Sequence, residues 1–312
     1  MDKNQSGLDE RYARELGFMH KKELEVTKNK VVAIAGLGGD GHVYPDIVRG
    51  LPLKEIRLAD PETIDKDNYI KHAYANNETY GRLKVDVIAD DLSKMAPETE
   101  VKKYPDGITL DNVEDFVAGS DVVVDELELR MPELAVSLHR AAKKFGKPVL
   151  TTMNIGFGAV VSSFHPEGHS YEQVLGIPKG MPLDEVAEYD VPIHRMIPVV
   201  PWKYVHFDTF RQVAKGAPFP SNKEGIEIAA AMGKVELRKH LVAEAGSRRI
   251  APIWAPKWHY MDAYTKESRI VRPSLPVFYS GIALMALRSK IGLNPEVSYS
   301  DEDLAELTPY QI

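Results

Sequence analysis

The stretch VVAIAGLGGDG, from Val31 to Gly41, decides how the chain folds. It opens with an apolar run rich in valine and isoleucine, which is typical of a buried parallel strand. The run passes directly into a segment with four glycines, Gly36, Gly38, Gly39 and Gly41. A helical pattern follows this segment. Glycines let the chain reverse tightly and let phosphates approach backbone N–H groups at a helix N-terminus, where the helix dipole favours anions. The stretch therefore predicts a nucleotide-binding turn, with a purely structural tight turn as the alternative.

A second predicted strand supports the nucleotide-binding interpretation. The segment EIRLAD ends in Asp60, about 20 residues past the glycines, where an acidic side chain commonly holds ribose hydroxyls. The doubled glycine, Gly38–Gly39, departs from the ordinary dinucleotide-binding pattern. The two features together indicate a nucleotide site of a less common kind.

Composition excludes several classes of function. The sequence has 312 residues, a net charge of −7 and no cysteine. The negative charge argues against nucleic acid as the main partner, and the absence of cysteine excludes disulfides, thiolate zinc sites and a cysteine nucleophile. The opening MDKNQSGLDER is polar, and no apolar stretch is long enough to cross a bilayer, so we expect a cytoplasmic protein with no membrane association.

Strands and helices alternate over the first half of the sequence. A helix is predicted over residues 8–27, and after the second strand the pattern continues in the same way as far as Asn154. This alternation predicts an α/β fold, a doubly wound, Rossmann-like, mostly parallel sheet. The further predicted elements are a helical segment at Tyr44 to Arg49, a helix from about Gly81, a strand in EVKKYPDG, a helix in LDNVEDFVAG, a strand at Val122 to Val124, a helix at Pro132 to Phe145 and a strand in PVLTTMN.

Past Asn154 the pattern changes, which suggests a division of the chain. The Pro/Gly-rich segment HPEGHSYEQVLGIPKGMPLDEV predicts a long crossover or lid. A helix over Glu224 to Val242, a hairpin in KWHYMDAYTKESRIV and a final apolar helix in SLPVFYSGIALMALRSKIGL complete the pattern. We expect an N-terminal helical arm (1–29), a nucleotide-binding adenylation domain (30–165) and a C-terminal region for substrate binding and dimerisation (166–312).

Several spaced motifs resemble those of the ThiF and MoeB type of adenylating enzyme, in the superfamily that includes the ubiquitin-activating enzymes. The resemblance covers roughly residues 8–165, and the order and spacing of the motifs are more specific than the glycines alone. The motifs are RYAR from Arg11 to Arg14, GLGGDG, RLAD ending at Asp60, DNYIK with Asn68 and Lys71, GRLK with Lys84, and the acidic residues that come after Val124.

The resemblance implies ATP- and Mg²⁺-dependent activation of a carboxylate as an acyl-adenylate in a homodimer. Carried over to this sequence, Asp60 would hold the ribose and Asn68, Lys71 and Lys84 would face the phosphates. Lys84 has the competing interpretation of an exposed helix lysine. Adenylation spreads charge over the α-phosphate and the leaving pyrophosphate, which fixed cations stabilise.

The family's N-terminal arginine, which reaches the nucleotide of a partner subunit, corresponds to Arg14 or Arg11. An acid after the fourth strand, Asp125 or Glu128, would position magnesium. Both acids come after a parallel strand, at the sheet edge where such folds bind ligands.

The sequence departs from the family pattern at several positions. Lys71 stands where the family has an arginine, which keeps a charge but loses the bidentate fork. Glu128-Leu129 replaces the usual Asp-Asn pair, and Asp40 places an acid inside the glycine turn, where it either caps the helix or weakens ATP binding. Without cysteine, a thioester or persulfide relay on this sequence is excluded, and so is a cysteine-bound zinc.

The leading hypothesis is therefore a cysteine-free adenylating enzyme. It would activate a peptide or small-molecule carboxylate and then dehydrate, cyclise or amidate it. Glutamate or C-terminal carboxylates of a ribosomal peptide natural-product precursor are one candidate substrate, and a small metabolite or modified nucleoside is the other. The alternatives are an NAD- or FAD-dependent oxidoreductase and a related binding subunit without catalysis.

Other residues are weaker candidates for the site. His42 and His72 come directly after site motifs and are expected to line the cleft. The aromatic segment PWKYVHFDTF is expected in the core or a dimer contact, and Arg248–Arg249 in a solvated turn.

Overall fold

In the computed structural model, the strands of the described residues form one eight-stranded sheet with the order β3-β2-β1-β4-β5-β6-β7-β8. The structure describes residues 10–129, 131–214, 217, 219–246 and 250–294. The first five strands are parallel, and β6, β7 and β8 continue the sheet as an antiparallel meander. The strands are β1 (Val31–Ala35), β2 (Glu55–Ala59), β3 (Glu100–Tyr104), β4 (Val122–Asp125), β5 (Val149–Ile155), β6 (Gly158–Phe164), β7 (Trp258–Asp262) and β8 (Glu267–Val271).

Helices cover both faces of the parallel part of the sheet, so the predicted α/β class and doubly wound arrangement are confirmed. The described α-helices are α1 (Lys21–Thr27), α2 (Lys84–Met95), α3 (Val113–Val117), α4 (Pro132–Lys144), α5 (Tyr171–Leu175), α6 (Leu183–Ala187), α7 (Ile193–Met196), α8 (Phe207–Ala214), α9 (Lys223–Leu241) and α10 (Leu275–Lys290). Short 3-10 segments lie at Glu10–Glu15, Gly41–Val43, Pro45–Arg49, Lys66–Ile70 and Ala243–Ala245.

The register of the three central strands brings the predicted site residues to one edge. Ala35 at the end of β1 pairs with Ala59 of β2 on one side and with Asp125 of β4 on the other. All five residues of β1 are buried, as its β-branched sequence predicts. The glycine turn, Asp60 and the acids after β4 therefore leave the sheet side by side.

Helix α9 connects the C-terminal half of the chain to this edge. It packs along β5 and β6, and its apolar residues Ala229, Met232 and Leu237 share a core cluster with Ile34 of β1. Its first turn lies beside the glycine turn, since a Cβ atom on Gly39 would lie 3.7 Å from Cδ1 of Ile226. Residues far apart in sequence thus meet at the end of β1.

Two sequence-based predictions need correction. The helix predicted over residues 8–27 is a 3-10 segment and then the short α1, because Gly17 adopts φ +110° between them; Leu8 lies outside the described residues. The strand β6 was not predicted, because Gly156 and Gly158 suggested a loop. These glycines instead form the tight turn of a β5–β6 hairpin.

The predicted C-terminal elements agree with the structure. The hairpin of β7 and β8 and the helices α9 and α10 lie close to their expected positions, and the segment predicted as a crossover or lid contains α5 and α6. Strands from both sides of residue 165 share one sheet, and the division of the chain into domains there stays a prediction. Among the described helices, none combines the length and apolar character needed to cross a membrane.

Candidate functional site

The glycine turn after β1 contains two glycines that the fold itself requires. Gly36 adopts φ +87°, and a Cβ atom there would lie 2.2 Å from the carbonyl oxygen of Glu126. A Cβ atom on Gly41 would lie 2.0 Å from the carbonyl oxygen of Gly36. No side chain fits at either position, because backbone atoms cannot move aside as a flexible side chain can.

The other two glycines are open to a ligand. A Cβ atom on Gly38 would meet no atom within 4 Å, and one on Gly39 would make an ordinary contact. Within the described part of the chain, the N–H groups of Gly38, Gly39 and Asp40 donate no hydrogen bond. Successive unpaired N–H groups at a strand-to-helix turn form an anion-binding concavity.

Asp60 fixes the shape of this turn from β2. Its carboxylate accepts the Leu37 N–H at 2.7 Å and the Glu62 N–H at 2.8 Å, and burial raises its pKa. Each carboxylate oxygen has two acceptor positions, so these bonds leave capacity for a ligand hydroxyl. The structure therefore places Asp60 directly beside the glycine turn.

Lys84 lies next to Asp60 and is not an exposed helix lysine. It begins α2, is 3% exposed, and its ammonium group lies 3.8 Å from Oδ1 of Asp60. It also forms an ion pair with Glu62, whose side chain is half exposed. The buried Lys84 ammonium is thus shared between the internal carboxylate of Asp60 and the solvent-facing carboxylate of Glu62. A ligand anion can replace Glu62 in this arrangement.

His42 and His72 stack on each other against the glycine turn, with ring centroids 4.1 Å apart. Nε2 of His42 accepts the Ala73 N–H at 2.9 Å, so Nδ1 carries the proton and donates to the Gly38 carbonyl at 2.8 Å. His72 Nε2 lies 3.0 Å from the Leu37 carbonyl oxygen.

Burial keeps both rings neutral. It lowers the pKa of His42 to about 4 and the pKa of His72 to about 3. The two rings thus hold the Gly38 and Leu37 carbonyls of the turn; both rings are buried, and their place along a ligand cleft stays a prediction.

Asp40 neither caps the next helical segment nor faces solvent. Its buried carboxylate accepts the backbone N–H of Asn154 at 2.8 Å and the Asn154 side-chain amide at 3.0 Å. The Asn154 oxygen in turn accepts a hydrogen bond from the Ser221 hydroxyl at 3.1 Å, just before α9. Burial raises the pKa of Asp40 to about 6. Asp40 therefore connects the glycine turn to β5 and to the start of α9.

A second acid, Glu126, is partly buried and lies next to the turn. Glu126 accepts hydrogen bonds from the Thr152 hydroxyl at 2.6 Å and the Thr152 N–H at 3.0 Å, and Thr152 also accepts from the hydroxyl of Tyr44. Burial raises the pKa of Glu126 well above its ordinary value, and the nearby charge of Asp40 raises it further. Glu126 carries a structural hydrogen-bond network, which the sequence did not reveal.

The two candidate magnesium acids have different surroundings. Asp125 is buried, and its carboxylate contacts Nε2 of His139 on α4 at 3.0 Å and accepts the Leu127 N–H at 3.1 Å. Glu128 is exposed, and its carboxylate has no partner in the described ranges. No group of three or more potential metal ligands occurs among the described residues.

Two further predicted site residues lie at the 3-10 segment Lys66–Ile70. Asn68 is within the segment, and Lys71 comes directly after it. Asn68 is buried, and its amide donates to Asp67 at 2.8 Å. Lys71 is half-buried and forms no ion pair with any residue that the structure describes. Lys71 therefore offers a cation that is not already neutralised.

The two N-terminal arginines do not reach the glycine turn of their own chain. Arg11 forms an ion pair with Glu98 at 2.7 Å, beyond the C-terminal end of α2, and the twelve residues of α2 separate that end from Lys84 by about 16 Å. Arg14 is exposed and has no ion pair within the described ranges. Arg14 precedes Glu15, which pairs with Arg238 about 22 Å along α9 from its first residue, so neither arginine reaches the glycine turn within one chain.

The structure describes one of the two remaining weaker candidates, the aromatic segment PWKYVHFDTF. Residues of PWKYVHFDTF pack against α10 in a small apolar cluster with Phe278 and Met285. Arg248 and Arg249 lie outside the described residues.

The sequence did not single out Asn154 or Lys223. Asn154 contacts Asp40 across 114 positions of sequence, and no local pattern marks such a pair. Lys223 opens α9 in a helical pattern where a charged residue is ordinary, and the approach of the first turn of α9 to the glycine turn depends on how α9 crosses the sheet.

Comparisons with known proteins agree with this geometry. The ThiF family model matches residues 12–299. The adenylyltransferase and sulfurtransferase UBA4 of Kluyveromyces lactis is 27% identical over 166 residues, 51% of this chain and 36% of that protein. The tRNA threonylcarbamoyladenosine dehydratase of Escherichia coli is 24% identical over 44% of this chain and 50% of that protein. The chain thus spans half or less of the length of these curated relatives.

Solved structures share the fold. The structure of E. coli MccB with ATP has a TM-score of 0.62 and 16% identity, and the match covers 86% of this chain and 72% of MccB. The structure of PaaA has a TM-score of 0.59 and 16% identity, with coverage of 85% and 73%. Since the family model matches most of the sequence, and the sheet and glycine turn have the expected form, the chain belongs to the ThiF family.

Proposed function

We propose that this protein uses Mg-ATP to adenylate a carboxylate. The observation that carries the proposal is the row of unpaired N–H groups at Gly38, Gly39 and Asp40, with the buried cation of Lys84 beside it. Such a row binds phosphate oxygens without any side chain. We expect a nucleoside triphosphate to bind here, because a Cβ atom on Gly38 would meet no atom within 4 Å and the space beside the turn is therefore open.

The neighbouring residues supply charge and orientation. Lys84 and Lys71 would stabilise the negative charge that develops on the α-phosphate and on the pyrophosphate. Lys84 would exchange its half-exposed partner Glu62 for a phosphate oxygen and keep Asp60. Asp60 would accept a ribose hydroxyl, and Asn68 would contact a phosphate. A carboxylate substrate is already a nucleophile, so no general base is required.

We assign the magnesium-positioning role to Glu128 rather than Asp125. Asp125 is already engaged by His139 and the Leu127 N–H, whereas Glu128 is exposed and without a described partner. Magnesium in nucleotide sites binds one or two protein carboxylates and completes its shell with phosphates and water, so a cluster of three protein ligands is not needed. When bound, the ion would neutralise charge on the phosphates.

The absence of cysteine restricts the step after adenylation. With no thiol in the sequence, the activated carboxyl would be attacked directly by an amine, hydroxyl or carbon nucleophile. We propose peptide carboxylates, such as those of glutamate or of a ribosomal natural-product precursor, as the first substrates to test. A solved structure of E. coli MccB contains the peptide MccA, and the shared fold supports this choice. A carboxylate on a small metabolite or a modified nucleoside is the second class, and the tRNA threonylcarbamoyladenosine dehydratase relatives favour the nucleoside.

In a homodimer, Arg14 would contact the nucleotide of the partner subunit. Its side chain is exposed and does not reach the turn of its own chain, so it is available to the nucleotide of a partner subunit. Helix α10 leaves Val277, Leu284 and Leu287 exposed on one face, which suits a contact between subunits.

The first test is Mg-ATP binding, and the second is pyrophosphate release on a panel of glutamate-containing peptides. Saturating Mg-ATP at a hundred times its dissociation constant stabilises a protein by about 2.7 kcal/mol, which a thermal melt detects. We expect Lys84→Ala to abolish this stabilisation and to lower carboxylate-dependent pyrophosphate release by about 100-fold or more. Lys54→Ala, at an exposed lysine before β2, is the matched control and should behave as wild type.

Three other outcomes would contradict the proposal. Stabilisation by NAD(H) or FAD instead of Mg-ATP would support an oxidoreductase. The absence of stabilisation by any nucleotide would support a binding subunit without catalysis. Full activity of Lys84→Ala would show that the phosphate site is wrongly assigned.

A further inference from the structure

The start of α9 forms one wall beside the glycine turn. Ser221 donates to Asn154, which donates to Asp40 inside the turn, and Ile226 lies 3.7 Å from where a Cβ atom of Gly39 would be. Asn222 caps the helix by accepting the Gly225 N–H at 2.8 Å, and its amide donates to the Gly156 carbonyl at 2.7 Å. The backbone around the first residue of α9 is therefore fixed relative to the turn.

That first residue is Lys223, whose side chain is 42% exposed. Its ammonium group lies 3.8 Å from Glu227, which is longer than a charge-assisted hydrogen bond of about 2.7–2.9 Å. Burial is the main cause of the low pKa of His42 and His72, the rings that hold the carbonyls of the turn, and the charges of Lys223 and Lys84 lower both pKa values further. Lys84 comes from α2, whereas Lys223 comes from the C-terminal half of the chain.

We propose that Lys223 binds the polyphosphate chain of ATP, as a second cation supplied by α9 in addition to Lys84. The inference rests on the proposed function. A triphosphate offers several phosphoryl groups, so it can contact the N–H groups of the turn and two lysines from different helices. AMP offers a single phosphoryl group, which the N–H groups of the turn already satisfy. Lys223 therefore contributes to ATP binding more than to AMP binding.

The test is calorimetric titration of the full chain with Mg-ATP and, separately, with AMP. The variants are Lys223→Gln, which removes the charge, and Lys223→Arg, which keeps it. Glu227→Gln is the matched control, because it breaks the same surface ion pair while the lysine stays. We expect Lys223→Gln to weaken Mg-ATP binding about tenfold or more and to leave AMP binding unchanged. Lys223→Arg should retain most of the affinity, and Glu227→Gln all of it.

Several outcomes would overturn this role. Unchanged Mg-ATP affinity in Lys223→Gln, with affinity lost in Lys84→Ala, would overturn it and leave the proposed function standing. Equal losses for ATP and AMP, or an equal loss in Glu227→Gln, would show that Lys223 acts through the fold rather than on the polyphosphate. Failure of the wild type to bind Mg-ATP would overturn both proposals together.

Discussion

Gly36 and Gly38 lie two residues apart, and the fold requires a glycine only at the first of these positions. Gly36 has a positive φ and faces a backbone carbonyl, so its lack of a side chain serves the fold. Gly38 faces open space and has no such conformation, so the fold would accept a methyl group there. Under the proposed function, the methyl group would instead disturb the approach of a phosphate to the N–H groups of the turn.

We therefore predict opposite effects for the two alanine substitutions. Gly36→Ala should lower the free energy of unfolding by more than about 2 kcal/mol, because of strain and collision with the Glu126 carbonyl. Gly38→Ala should change it by less than about 0.5 kcal/mol and still weaken Mg-ATP binding. Urea unfolding and calorimetric titration measure the two quantities. A Gly38→Ala protein that binds Mg-ATP as tightly as wild type would contradict the assigned phosphate position.

The stacked histidines predict a pH effect on stability. Their ordinary pKa is 6.5, and in the folded protein it is lowered to about 4 for His42 and about 3 for His72. Below pH 6.5 the unfolded chain therefore binds protons that the folded chain does not, and stability falls as the pH decreases towards 4. Each histidine contributes up to about 1.4 kcal/mol per pH unit in this range.

Asp40 acts in the opposite direction, because its folded pKa of about 6 lies above the ordinary 3.8. The histidine contribution is therefore isolated by comparing wild type with His72→Gln, whose amide can still donate to the Leu37 carbonyl. Urea unfolding at about pH 7.5 and about pH 5 should show a smaller loss of stability in His72→Gln than in wild type. An equal loss in both proteins would mean that the protonation of His72 does not differ between the folded and unfolded states.

The sequence identified most of the residues around the glycine turn but not the contacts between them. Gly36, Asp60 and Lys84 belong to local motifs, whose spacing is readable in a single sequence. The Asp40–Asn154 contact and its extension to Ser221 join segments that meet only after the sheet has formed. For the same reason the sequence left the role of Asp40 open between a helix cap and an obstacle to ATP. In the structure Asp40 is buried and does not cap the helix.

At the scale of elements, the parallel half of the sheet was predictable and its continuation was not. The strands β1 and β4 are buried along their whole length and rich in β-branched residues, which is characteristic of strands covered on both faces. The strand β6 is equally buried, but the glycines at its start suggested a loop. The N-terminal helix was overpredicted because its apolar spacing extends across Gly17, where the positive φ ends any helix.

The contact between α9 and the segment after the glycine turn gives an element-scale prediction. A Cβ atom on Gly233 of α9 would lie 2.0 Å from the hydroxyl of the fully buried Tyr44. Gly233→Ala should therefore destabilise the protein by about 2 kcal/mol, although alanine favours an isolated helix by about 1 kcal/mol. Val235→Ala, at an exposed position of the same helix, is the control, and urea unfolding compares them. A Gly233→Ala variant as stable as wild type would mean that Tyr44 can move away from α9.

At the scale of the whole molecule, the proposed homodimer predicts that an Arg14 variant and a Lys84 variant restore activity when they form a mixed dimer. If Arg14 serves the partner's nucleotide, a dimer of one Arg14→Ala and one Lys84→Ala subunit has both defects in one site and an intact second site. Random mixing of the two inactive variants should then restore about a quarter of wild-type pyrophosphate release. No recovery in co-refolded mixtures that contain mixed dimers would show that Arg14 does not act across subunits.

The place of β6 in the sheet has a consequence for dividing the chain. All seven residues of β6 are buried, and its neighbour β7 comes from nearly a hundred residues further along the chain. A fragment ending at residue 165 would contain the whole nucleotide-binding turn but would leave β6 as a long, apolar edge strand. Such an edge pairs readily with other chains, so we expect the fragment to aggregate. In the full chain, the C-terminal half covers this edge of the sheet and also forms one side of the proposed site.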